Sequence, residues 1–124
     1  MVDTVLVAPP AAAEPGPVLG SAQVDHPRVA RARLHRTGVR VWTTPDGAGV
    51  LVLGRGVAGR WEVSVEVDPV ARGRGLGKAL VAAAPALVPG ATLWAQVAPA
   101  NTASLRAFLG AGYRPVCAEV LFGP

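Results

Sequence analysis

The chain has 124 residues, 51% hydrophobic and 16% charged, which gives room for one globular domain and excludes an intrinsically disordered chain. No apolar run approaches the roughly 20 residues of a membrane-spanning helix, and no basic stretch followed by an apolar one opens the chain. A single cysteine, Cys117, excludes an internal disulfide framework and fits a reducing cytoplasm, while a net charge of +4 suits a phosphate-bearing partner without choosing one.

Residues 4–8 have the composition of a short strand. Pro9, Pro10, Pro15, Gly16 and Pro17 then exclude a helix or a central strand. Residues 1–24 therefore read as a proline-rich arm, and residues 25–124 as the folded domain. A helix is expected over residues 26–36, with Asp25 as its cap and Pro27 in its first turn. Arg28, Arg31, Arg33 and Arg36 would form its solvated face.

From Gly38 the period changes. Val39, Val41 and Thr43 alternate with Arg40 and Trp42, Pro45-Asp46-Gly47 signals a turn, and residues 50–53 resume as a buried strand. Residues 61–67 alternate again, with valines on one face and Glu62, Ser64 and Glu66 on the other. These three strands predict an antiparallel meander. Leu76, Leu80 and Ala83 or Ala84 fall at helical spacing, and Pro85 predicts the end of that helix or a kink in it. A strand over residues 92–97 follows. Asn101 then caps a helix with Leu105, Phe108 and Leu109 as its apolar stripe, ended by Gly110 and Gly112. Residues 113–122 read as a last strand. The order implies an α/β or α+β sheet covered by helices.

The chemistry concentrates in Arg72-Gly73-Arg74-Gly75-Leu76-Gly77-Lys78, between a strand and a helix. Glycines allow close backbone approach, the free N–H groups of a helix start favour an anion, and Arg72, Arg74 and Lys78 add charge. A P-loop would need Ser or Thr after Gly77-Lys78, where Ala79 stands. A dinucleotide fingerprint would need glycine at Lys78. Arg72, Gly75 and Gly77 instead satisfy Arg/Gln-x-x-Gly-x-Gly/Ala, and Val67-Asp68-Pro69 leads into it. Downstream, Asn101 to Leu105 followed by Gly112-Tyr113 is a second matching segment.

In these two motifs the chain resembles the GNAT N-acetyltransferases over about residues 39–122. The resemblance implies a mixed, mostly antiparallel sheet with helices on both faces, here with an abbreviated N-terminus. It implies acetyl-CoA or another acyl-CoA as cofactor and a primary amine as acceptor, with direct attack of the amine on the thioester. Arg72, Gly73, Arg74, Gly75, Leu76, Gly77 and Lys78 would hold the pyrophosphate, and Asn101 would order the cofactor arm. Residues 61–67 would splay from the next strand, so that Val65 and Val67 pair with the pantetheine. Glu66 and Glu62 are the candidate bases, and their acidic face mildly favours a cationic amine. The family's tyrosine acid falls on Phe108, which has no hydroxyl, and Tyr113 is expected to pack. The rival from another class is a non-catalytic acyl-CoA-binding or regulatory module, favoured by Phe108 and the short N-terminus. A homodimer that completes the acceptor side is a further expectation; a membrane or nucleic-acid partner is not expected, and no residues have metal-ligand spacing. Cys117 reads as a buried, inert thiol.

Overall fold

The computed structural model describes residues 2–10, 19–21 and 27–120, the last two by backbone alone. Seven strands and three helices occur among them: β1 (Val2–Val7), β2 (Gly20–Ser21), α1 (Pro27–His35), β3 (Thr37–Thr43), β4 (Gly49–Arg55), β5 (Trp61–Val67), α2 (Leu76–Ala83), β6 (Leu93–Val97), α3 (Thr102–Gly110) and β7 (Arg114–Val120). They form one sheet in the order β2-β3-β4-β5-β6-β1-β7. Every neighbouring pair is antiparallel except β5 with β6.

The meander forms as its alternation predicts. β4 is buried from Gly49 through Gly54, so its Val-Leu-Val-Leu run is covered on both faces. On one face Val50 and Val52 meet Val29 and Ala32 of α1. On the other, Leu51 and Leu53 join Leu80 and Val81 of α2, Phe108 of α3, and Leu6 and Val63. A Cβ at Gly49 would lie 2.9 Å from Leu80 Cδ1, so glycine lets α2 pack closely on the strand.

Pro85 does end α2, and the break has a specific repair. The carbonyl of Val81 would normally accept from the N–H four residues on, which proline lacks. Tyr113 Oη donates to that carbonyl at 2.7 Å, and a 3₁₀ turn over Ala84–Leu87 carries the chain onward. Burial pushes the Tyr113 hydroxyl's pKa upward, consistent with a neutral donor. Its ring meets Phe108 edge-on at 4.8 Å.

The expected strand over residues 4–8 is β1, and it is not part of an arm. It lies between β6 and β7, with Val5 and Leu6 fully buried. The arm drawn over residues 1–24 therefore excludes at least residues 2–7. Pro15, Gly16, Pro17, Asp25 and His26 lie outside the described residues. Two further expectations change: Cys117 is exposed, because β7 is the outer strand, and Leu109 is 45% exposed, leaving Leu105 and Phe108 as the inward residues of α3.

Candidate active site

Between β5 and α2 the chain first makes a 3₁₀ turn, Pro69–Ala71, capped by Asp68 Oδ1 accepting from Val70 N at 3.2 Å. Arg72 is extended. Gly73 and Gly75 then take φ of +81° and +78°, a left-handed conformation that costs other residues about 1–2 kcal/mol. Gly75 is the N-cap of α2 and offers no side chain to the first-turn N–H groups, which therefore stay open to an anion.

β5 and β6 pair only where Trp61, Glu62 and Val63 lie opposite Leu93, Trp94 and Ala95. Beyond that, the two parallel strands part. Asp68 N donates to Ala48 O at 2.7 Å, so alternate residues of β5 bond to β4, and the polar groups of Val65 and Val67 turn toward the gap.

A cleft of about 490 Å³ opens at this gap. Its wall includes Val65, Glu66, Val67, Arg72, Gly73, Gly75, Leu76, Gly77, Lys78 and Asn101, ten residues singled out from the sequence. Asn101 Oδ1 also accepts from Ser104 N at 3.1 Å and so starts α3. Arg74 is exposed on the loop but does not line the cleft. Glu66 and Arg28 sit on the α1 face of the sheet, whereas Leu76, Ala103 and Ala107 sit on the α2–α3 face. The cleft therefore reaches both faces through the parted strands.

Besides Arg74, two expected site residues are elsewhere. Glu62 is 4% exposed and does not line the cleft. Its carboxylate accepts from Arg36 Nε at 3.2 Å and Arg60 Nε at 2.7 Å, and Arg36 Nη1 donates to Ser64 Oγ at 2.8 Å. Burial lowers the pKa of Arg36, and Glu62 opposes that shift. Phe108 is 3% exposed, within the core beside Tyr113, and does not line the cleft.

Glu66 remains in the cleft, but it is not a bare carboxylate. Arg28 Nε donates to its Oε2 at 2.8 Å and Arg72 Nη2 to its Oε1 at 3.3 Å. Arg72 Nε also donates to Val67 O at 3.0 Å. The polar face of β5 is therefore matched by Arg28 of α1, Arg36 just after it, and Arg60 and Arg72 on either side of β5 rather than left acidic, which removes the basis for preferring a cationic acceptor. Arg28 and Arg36 are ion-paired, while Arg31 and Arg33 alone of the expected solvated face are exposed.

Arg28, Ala103, Ser104, Arg106 and Ala107 of the cleft wall were not among the expected site residues, although Ala103 and Ser104 fall within the second motif. The α3 residues had a signal. Ala103 and Ala107 are one turn apart on the side away from Leu105, and small residues there leave room beside the loop. Arg28 had none, because only the packing of α1 across the sheet brings it to Glu66.

Fold and cleft together define an α/β protein with an open cleft between two parted parallel strands and a glycine loop in its wall. Residues 19–113 match the model of the Acetyltransferase (GNAT) family, and the chain belongs to that family, whose members bind acyl-CoA. No curated protein and no solved structure shows significant similarity to it. Among the described residues no helix is long and apolar enough to cross a membrane.

Proposed function

We propose that the protein is an acyl-CoA-dependent N-acyltransferase that passes an acyl group, acetyl in the simplest case, to a primary amine. The observation that carries this reading is the cleft running through the parted strands, with the glycine loop at one end and Glu66 on the opposite face of the sheet. The residues present fit the cofactor. Open N–H groups at the start of α2, with Arg72 in the cleft wall and Arg74 exposed beside it on the loop, suit a pyrophosphate, and the Val65 polar groups and Val67 N–H that face the gap suit an amide-bearing arm.

Acyl-CoA supplies a thioester already activated toward amines. The chain's contribution is placement and charge. An N–H of β5 in the gap stabilises negative charge on the carbonyl oxygen, which requires no particular side chain. Glu66 accepts the proton released by the attacking amine, and Arg28 keeps its Oε2 oriented. A thiol of pKa about 8.5 is a good enough leaving group to depart without a positioned acid. Phe108 and Tyr113, both in the core, are therefore not needed for that step.

Thiol release from acetyl-CoA, measured with a panel of primary amines, tests the reading. A Glu66→Gln variant should lose about 10²–10⁴ in kcat while acetyl-CoA binding is not weakened. One observation favours the second reading, a non-catalytic acyl-CoA-binding module: both oxygens of Glu66 are already engaged by arginines. Tight acetyl-CoA binding with no thiol release for any amine would select it.

A further inference from the structure

Lys78 does not turn back over the glycine loop. From the first turn of α2 its stem crosses to α3, where a Cβ built at Gly110 would lie 3.4 Å from Lys78 Cε and 3.8 Å from Nζ. Arg106 is one helical turn before Gly110 and shares that face of α3. Both cations line the cleft, and among the described residues neither has an ion pair or hydrogen bond. Glu66, the carboxylate of the cleft wall, is held by Arg28 and Arg72 and cannot serve them.

Two like charges on facing helices that line one cleft repel, and an anion between them relieves the repulsion. That anion is distinct from the one the loop would hold, because the left-handed Gly73 and Gly75 precede α2 and its first-turn N–H groups point back toward them along the helix axis, whereas the Lys78 side chain runs across to α3 at Gly110. A ligand reaching both places carries two separate phosphate groups. We infer that Lys78 and Arg106 form a second phosphate site that reads the ribose 3′-phosphate of coenzyme A and selects CoA over its dephospho form. This rests on the acyl-CoA reading above and adds to it the feature of the cofactor that is discriminated.

Calorimetric titration with CoA and with dephospho-CoA tests it on wild type, Arg106→Gln, Lys78→Gln and Arg106→Lys. Both side chains are exposed, so the variants should fold. The wild type should bind CoA at least about tenfold more tightly than dephospho-CoA, the worth of one or two charge-assisted hydrogen bonds. Each glutamine variant should cut that ratio to about threefold or less while leaving dephospho-CoA affinity within about twofold, and Arg106→Lys should restore part of it. Equal wild-type affinities for the two ligands would overturn this site while keeping the loop, and so would variants that weaken both ligands alike. Binding of neither ligand would bring down the acyl-CoA reading itself, and this inference with it.

Discussion

Glu62→Ala separates a residue that holds the fold from one that performs chemistry. The Glu62 carboxylate, with a side chain 5% exposed, lies between Arg36 and Arg60 at 3.2 Å and 2.7 Å. Its removal leaves two guanidinium groups facing each other without compensation, and breaking a buried pair in this way costs about 3–5 kcal/mol. The arginine side chains keep 13% and 14% exposure and can turn partly to solvent, which places the loss toward the lower end. With an unfolding entropy of about 2.1 cal/mol/K per residue, a chain this long loses about 4 °C of Tm per kcal/mol, so a drop of roughly 12 °C or more is expected. Gly56 provides an internal control, since a Cβ there would clash with the Glu62 carboxylate. Gly56→Ala should destabilise the wild type and cost much less in the Glu62→Ala background, a coupling read from a double-mutant cycle. Thermal melts by circular dichroism give the stabilities, and titration of the folded variant at low temperature gives acetyl-CoA affinity. A Glu62→Ala protein with unchanged Tm and abolished acyl transfer would refute the structural role assigned to this carboxylate.

Tyr113→Phe should cost about 1–3 kcal/mol, because it strands the Val81 carbonyl that Pro85 has already deprived of a donor. A melt within a degree of wild type would show that the bond contributes nothing. Gly75→Ala should destabilise by about 1–2 kcal/mol through its φ of +78°, with no steric clash, and should weaken acetyl-CoA binding by a larger factor than that strain alone. Equal losses in stability and binding would mean that the loop conformation is not read by the ligand. Asp46 is held below the usual carboxylate range by hydrogen bonds, first from the Ala48 N–H and then from the Thr44 hydroxyl. Its contribution is thus present above the unfolded pKa, about 4, and fades as pH falls through the lower folded value. Urea melts from pH 5 to pH 2 should show a shallower acid decline for Asp46→Asn than for wild type.

Much of the architecture could be read from local signals. The alternation at residues 61–67, the turn at Pro45-Asp46-Gly47, the stop at Pro85 and the cap at Asn101 each act within a few residues, and each appears as expected. The glycine loop was legible for the same reason, since its spacing encodes a backbone conformation. What eluded the sequence depends on pairing across the chain. Residues 4–8 read as a short strand at the head of an arm, yet β1 sits between β6 and β7, because strand order is set by burial of Val5 and Leu6 and not by proximity in sequence. Glu62 and Glu66 have the same period and the same face, so nothing local distinguishes them. Their fates diverge because Arg36 and Arg60 close over Glu62, while Glu66 lies where β6 has parted from β5. Phe108 aligns with a family position, yet its side chain packs on Tyr113 beneath the helix.

Titration calorimetry with acetyl-CoA, with ATP as control, on wild type and on the Arg72→Ala/Arg74→Ala double variant tests most directly whether the glycine loop and the parted strands hold an acyl-CoA. Tight binding of acetyl-CoA by the wild type is expected, with none for ATP and a loss of at least about tenfold in the double variant, as two charge-assisted phosphate contacts require. A folded wild-type protein that ignores acetyl-CoA, or a double variant that binds it as well as the wild type does, would contradict that assignment.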